Sequence, residues 1–197
     1  MMNVVGLSGA ITRSSKAKAL VDFVLKQVTT TLPHNIISID MVDLLPELGT
    51  TFSRAAAAPR LEKSLRWIES AHLLVIGTPI FNGSYTGFLK HLLDLVKPSE
   101  SVEAEKVAII AATDRGDCNS LALEHSLRPL LSQLGYCTVP TSIYAREDDF
   151  VGDYLAEEAV MFRARRSVGE AFRILGLEPP HAAFLPVSGS SRAAVSR

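Results

Sequence analysis

Several things are scarce in this 197-residue chain, and each scarcity removes a class of function. There are two cysteines, Cys118 and Cys137. They are too few for a disulfide framework, lack metal-ligand company nearby, and read as buried or idle thiols. The five histidines, His34, His72, His91, His125 and His181, are scattered, so spacing gives neither a His/Cys metal cluster nor a Ser/His/Asp triad. The glycine spacings of a Walker loop and of a dinucleotide fingerprint are both missing. No apolar run reaches the roughly 18 to 20 residues of a membrane helix. The N-terminus also lacks the charged-then-apolar order of a signal peptide, so the cytoplasm is the expected compartment. With 20 Lys and Arg against 21 Asp and Glu, the net charge of −1 offers no broad field for nucleic acid or an anionic membrane.

What is there is ordinary for a globular protein, 47% hydrophobic and 21% charged, with enough length for a substantial core. Residues 1–177 are expected to form one domain and 178–197 a tail. The small residues from Ser188 to Arg197 have a disordered composition, or else form an arm packed on a neighbouring subunit.

The stretch from Val4 to Lys16 organises the rest. Val4 to Leu7 is apolar without alternation, as suits a strand covered on both faces. A polar turn follows with Ser8, Gly9, Thr12, Arg13, Ser14 and Ser15, and then Leu20, Val21, Val24, Leu25 and Val28 mark one helical face. The turn therefore sits at a helix N-terminus, where free N–H groups and the positive dipole end favour an anion. Ser8 and Ser15 hydroxyls with the Arg13 guanidinium would complete a phosphate cradle. The plainer alternative is a serine N-cap with one exposed arginine.

Further along, Ile36, Ile37 and Ile39 suggest a second strand ending near Asp40, and Leu44 to Pro59 a loop of undetermined shape. Leu61, Leu65 and Ile68 mark a short helix, and His72 to Gly77 a third strand. Pro79, Asn82, Gly83 and Ser84 read as a turn before a helix through Phe88, Leu89, Leu92, Leu93 and Val96. A fourth strand spans Lys106 to Ala112, a loop Thr113 to Asn119, and a helix about Ser120 to Leu134, closed by Gly135. A fifth strand covers Cys137 to Tyr144, and a last helix runs from about Tyr154 to Leu175 with Gly176 as its stop. Pro129 falls inside the 120–134 helix and cannot donate to the His125 carbonyl, so a kink or π-bulge is expected there. Strands alternating with helices imply a doubly wound α/β fold with a parallel sheet. The loops 8–15, 78–84 and 113–119 should converge at its carboxyl edge.

Three motifs then carry a specific resemblance. Ser8-Gly9 is followed by Arg13-Ser14-Ser15-Lys16, the run Thr78-Pro79-Ile80-Phe81-Asn82-Gly83-Ser84-Tyr85-Thr86-Gly87-Phe88-Leu89-Lys90-His91 comes next, and Leu123-Glu124-His125-Ser126-Leu127-Arg128-Pro129-Leu130 closes the series. In these, over roughly residues 3 to 175, the chain resembles the NAD(P)H-dependent FMN reductases of flavodoxin-like fold, in the subgroup serving two-component sulfonate or sulfone monooxygenases.

The resemblance implies a flavodoxin-like, doubly wound, five-stranded parallel sheet with helices on both faces. It implies FMN, as substrate or loosely bound group, with NADH or NADPH, and a flavin-dependent monooxygenase as transient partner. It also implies a homodimer or homotetramer. Ser8, Arg13, Ser14, Ser15 and Lys16, with the Ala17 amide, would hold the FMN phosphate. Pro79, Ile80, Phe81, Asn82, Gly83 and Ser84 would run along the ribityl chain and ring edge, with Tyr85 bordering the ring or a subunit contact. Thr113, Asp114, Arg115 and Gly116 would lie beside the flavin, where the family usually has Thr-Gly-Gly-Ser. Asp and Arg bring side chains and restrict a backbone that paired glycines leave free. Asp114 would accept from the flavin N3–H. Arg115 would meet a nicotinamide nucleotide phosphate or stay a solvated loop charge. Relatives carry a π-helical turn at a subunit interface where this chain has His125; the alternative is a packed core histidine. Hydride transfer needs positioning rather than an acid–base pair, so no catalytic side chain is named. The competing functions are an FMN-retaining quinone, azo or metal-oxyanion reductase, and a flavodoxin-like electron carrier or flavin-binding protein. Carriers of that kind are usually strongly acidic, and this chain is not.

Overall fold

In the computed structural model, which describes residues 2–29, 35–98, 106–115 and 121–178, the first apolar run forms β1 (Asn3–Ser8). The polar turn after it leads into α1 (Lys16–Thr29), whose buried face is the one expected. β2 (Asn35–Asp40) comes next, and a 3₁₀ turn at Met41–Asp43, α2 (Leu45–Leu48) and a second 3₁₀ turn at Arg54–Ala56 lead to α3 (Pro59–Ser70). The 44–59 stretch is thus largely short helical turns. The chain continues through β3 (Leu73–Phe81), β4 (Ser84–Tyr85), α4 (Gly87–Asp94) and β5 (Val107–Asp114). A π-helical turn at Leu123–Leu127 runs into α5 (Arg128–Gln133). β6 (Cys137–Thr138), β7 (Ile143–Arg146), a 3₁₀ turn at Glu147–Asp149, β8 (Phe150–Val151), β9 (Tyr154–Leu155) and α6 (Glu158–Ile174) complete it.

The parallel strands lie in the order β2-β1-β3-β5-β6, with β7 continuing the fifth position along β5. This is the flavodoxin-like arrangement expected. Alternate strand residues serve opposite layers, which is why the strands read as continuous apolar runs. Val4, Leu73 and Val75 pack with α1 and α6, whereas Val5, Leu7, Leu74 and Ile76 pack with α3 and α4.

Three boundaries differ from expectation. Pro79 to Phe81 belong to β3, not to a turn, and the hairpin to β4 closes on Asn82-Gly83 alone, at φ 52° and 80°. Two successive positive φ values are what an Asn-Gly pair supplies in such hairpins. Pairing with β1 ends at Gly77 while pairing with β5 persists to Pro79, so the proline, which has no N–H, stands where one strand edge is already free. The fifth strand is broken: Ala108 faces Thr138 but Ala111 faces Ile143, so extra residues bulge out around Pro140. The last helix starts at Glu158 rather than near Tyr154, because residues 150–155 form a small hairpin turning at Gly152, φ 58°.

The π-helical turn lies where Pro129 required relief. His125 is exposed on it, which removes the core-histidine alternative. Arg128 braces the turn, pairing with Glu124 at 2.6 Å and donating to Thr138 Oγ1 at 2.6 Å and the Val139 carbonyl at 2.8 Å. The tail beyond 178 and the Cys118 position lie outside the described residues.

Arg54 ties the 44–59 stretch down. Its guanidinium meets Glu62 at 2.5 Å, Glu69 at 2.7 Å and the Leu95 carbonyl at 2.7 Å. Hydrogen bonds from Arg54, and then from Arg66, hold the Glu62 carboxyl down at about 2, from an ordinary 4.5. A lowered carboxylate pKa stabilises the fold above its unfolded value and ceases to do so as pH falls through the folded one. Arg54→Met is therefore expected to lower the unfolding temperature at neutral pH and to flatten its fall between about pH 4.5 and about pH 2. Thermal melts across that range check this, and an acid limb of unchanged slope counts against it.

Candidate functional site

The three loops do converge. A cavity of about 600 Å³ at the carboxyl edge of the sheet is lined by Ile11, Thr12, Ser14, Ser15 and Lys16 from the first loop, and by Pro79, Ile80 and Phe81 from the end of β3. Thr113, Asp114 and Arg115 at the end of β5, with Glu147 after β7, complete the wall. Ser8, Arg13, Ala17, Asn82, Gly83 and Ser84 are not in the lining, and Gly116 lies outside the described residues.

The first wall is a helix N-terminus in an anion-ready form. The Ser15 carbonyl accepts the Ala19 N–H at 3.1 Å, so Ser15 holds the N-cap position, and no acidic residue occupies the first turn of α1. Ser8 shares the sheet face of Val4, which α1 covers, and its Oγ is buried without a partner among the described residues. Gly77 lets α1 sit directly on β3: a Cβ there would lie 2.5 Å from Val21 Cγ2 and 3.0 Å from the Ala17 carbonyl oxygen. The first two loops are bonded together through Gly9. Its N–H donates to the Gly77 carbonyl at 2.7 Å, and its carbonyl accepts the Thr86 hydroxyl at 3.1 Å. Thr86 Oγ1 also accepts the Leu89 N–H at 3.2 Å, capping α4.

The cations of the first loop point elsewhere than expected. Arg13 pairs with Asp43 at 2.8 Å, outside the lining. Lys16 lines the cavity, but its ammonium donates to the Gly152 carbonyl and lies 3.3 Å from the Asp153 carboxylate. On the third wall, Asp114 Oδ1 accepts the Arg115 N–H at 2.7 Å, and Oδ2 accepts the Tyr144 hydroxyl at 3.4 Å. Arg115 pairs with Glu147 at 3.1 Å. Asp40, which faces Ser8 in the β1–β2 register, has its carboxyl raised by burial, against the pull of the Val42 N–H and of Lys18 and Arg13.

Residues 2–150 match the family described as NADPH-dependent FMN reductase. The chain belongs to this family. The reductase is 33% identical over 175 residues to the NADH-dependent FMN reductase SfnF of Pseudomonas fluorescens, a match covering 89% of this chain and 92% of that protein. It is 34% identical over 173 residues to an FMN reductase (NADPH) of Pseudomonas aeruginosa, covering 88% and 92%. A solved oxidoreductase from Corynebacterium diphtheriae shares the fold with a TM-score of 0.73 at 27% identity, covering 89% of this chain and 97% of that one. The protein is an oxidoreductase whose flavin is FMN and whose nicotinamide partner is NADH or NADPH.

The cavity of the reductase fits that flavin. Its polar end is the opening of α1, with Ser14, Ser15 and Lys16, and the buried, unpartnered Ser8 oxygen lies under the same helix. Its flatter side is the Pro79–Phe81 run, apolar side chains at the carboxyl end of β3. Thr86 and Glu147 belong to this construction without standing out in the sequence. Thr86 carried a signal, a threonine one residue before a helical pattern. Glu147 carried none, being brought in by the turn after β7.

Proposed function

We propose that the reductase takes FMN as a substrate, reduces it with NADH or NADPH, and releases it to a flavin-dependent monooxygenase of sulfonate, sulfone or related desulfurisation chemistry. The observation that carries this is one cavity joining an α1 N-terminus, free of first-turn acids, to the apolar edge of β3. Relatives named NADH-dependent FMN reductase SfnF and SfnE support the direction.

When bound, the flavin would supply the hydride-accepting chemistry for the nicotinamide nucleotide. The protein contributes position. N–H groups at the start of α1, the Ser14 and Ser15 hydroxyls and Lys16 would hold the phosphate; Ile80 and Phe81 would flank the ring; Asp114 would accept from a ring N–H. Arg13 joins the phosphate only by leaving Asp43. Water is kept from the ring by apolar side chains, and no side chain acts as acid or base.

The Asp114-Arg115 departure puts a cation at the mouth. Arg115→Ala is expected to raise the Michaelis constant for the nicotinamide nucleotide about three- to tenfold. Unchanged constants for both NADH and NADPH would make Arg115 a solvated loop charge.

Self-association as a homodimer or homotetramer belongs to the same proposal. A second cavity of about 510 Å³ shares Ile11 and Phe81 with the first, and Phe52, Phe81 and Phe88 stand 84%, 50% and 43% exposed around it. An apolar cluster of this kind on a surface suits a protein contact. No helix among the described residues is long and apolar enough to cross a membrane, and we place the protein in the cytoplasm. The deciding experiment is oxidation of NADH and NADPH with and without added FMN, FAD and riboflavin. Dependence on free FMN, from a protein purified nearly colourless, is the expected result. Saturation without added flavin, from a yellow protein, identifies the FMN-retaining reductase instead.

A further inference from the structure

Arg13 and Lys16 are the only basic side chains between residues 8 and 16, and each is met by a carboxylate from a distant part of the chain. Asp43, in the 3₁₀ turn after β2, holds Arg13 at 2.8 Å. Asp153, at the tip of the β8–β9 hairpin, stands 3.3 Å from the Lys16 ammonium, to which Gly152 also offers its carbonyl, with the Phe150 ring 5.8 Å away. Each cation of the cradle is therefore already partnered by the protein itself, with Asp43 shared between Arg13 and Arg60. A phosphate arriving at α1 must displace those carboxylates or share the cations with them, and in the shared case it feels their repulsion. A flavin without a phosphate meets neither cost.

We propose that Asp43 and Asp153 are internal competitors of the flavin phosphate, specificity-determining residues that weaken FMN selectively and keep it exchangeable. This rests on the reading of the first loop as the FMN phosphate cradle. The carboxylates pair with the cations and neither lines the cavity, so their influence is confined to phosphorylated flavins. Retention of flavin should then be adjustable without altering any group that faces the isoalloxazine.

The test titrates FMN and riboflavin, by quenching of flavin fluorescence, into the full chain and into D43N, D153N and the double variant, with thermal melts run alongside. Both sites are at the surface and Asn preserves their shape; D43N also frees Arg60, 3.7 Å from Asp43. Each single change is expected to tighten FMN about three- to tenfold and the double change at least about tenfold, with riboflavin constant within about twofold. The double variant should also retain yellow flavin through purification. FMN affinity unchanged in the double variant, or riboflavin tightened equally, overturns the proposal. S15D, titrated in parallel, separates the two levels. Selective loss of FMN in S15D, with no gain in D43N and D153N, leaves the cradle standing and removes the competitors; S15D binding FMN as the unaltered chain does removes both.

Discussion

Ser15→Asp is expected to lower the affinity for FMN by at least about 100-fold while leaving riboflavin affinity and thermal stability nearly unchanged. Ser15 stands at the N-cap of α1, its carbonyl accepting the Ala19 N–H at 3.1 Å. Aspartate caps helices as well as serine does and is favoured by the dipole at that end, so the fold has no reason to suffer. The phosphate has every reason. A carboxylate about 5 Å from each unit of phosphate charge, at an effective dielectric near 20, opposes it by about 3 kcal/mol. Ser15→Ala separates the two ingredients, since it removes a hydroxyl donor without adding charge. Its expected cost is about tenfold in FMN affinity. Fluorescence titration with the two flavins reads the difference directly. Equal weakening of FMN and riboflavin by the aspartate would mean that the phosphate is not seated at α1.

The parts of this site that were legible in the sequence are those encoded by neighbours along the chain. Val4 to Leu7 and Leu73 to Ile76 read as strands because burial on two faces leaves no polar alternation, and Ser15 read as a helix start because Leu20 to Val28 keep helical phase. Pro129 announced the π-helical turn because a missing N–H must be accommodated locally. The misread parts depend on partners far away. Pro79 looked like a turn residue, and only the continued pairing of β3 with Thr113 on β5 shows that the strand runs on. The β8–β9 hairpin is two residues to a side, too short for any periodic signal, and only its second strand falls within the helix expected from about Tyr154. Arg13 keeps its reading as a phosphate ligand, but what competes for it is not legible, since nothing nearby in sequence pairs with it. Asp43 does so from beyond β2, as Asp153 does for Lys16 from near the end of the chain.

Gly77 shows the same lesson with an opposite sign for local and tertiary preference. As a strand residue, valine is preferred to glycine, so strand propensity alone expects Gly77→Val to stabilise β3. The structure expects the reverse. The added Cβ lies 2.5 Å from Val21 Cγ2, a β-branched side chain with little freedom, and 3.0 Å from the Ala17 carbonyl oxygen, which is backbone. α1 must lift from the sheet at its first turn, and overpacking of that kind costs about 1 to 3 kcal/mol or more. For a chain of this length that is a fall in unfolding temperature of about 2 to 12 °C. The lifted turn carries Ser15 and Lys16, so FMN affinity should fall with it, about tenfold or more, since misplacement by about 1 Å is costly at a preorganised site. Gly87→Ala is the matching control, because a Cβ at Gly87 meets nothing within 4 Å. It stands at the start of α4, where alanine should raise the unfolding temperature slightly, by about 0.4 to 1 kcal/mol in stability, and leave FMN binding alone. Thermal melts and FMN titrations of the two variants, side by side, decide whether the close approach of α1 to β3 sets the cradle. If Gly77→Val melts with the unaltered chain, the helix is seated by other contacts and the phosphate end of the site owes nothing to this glycine.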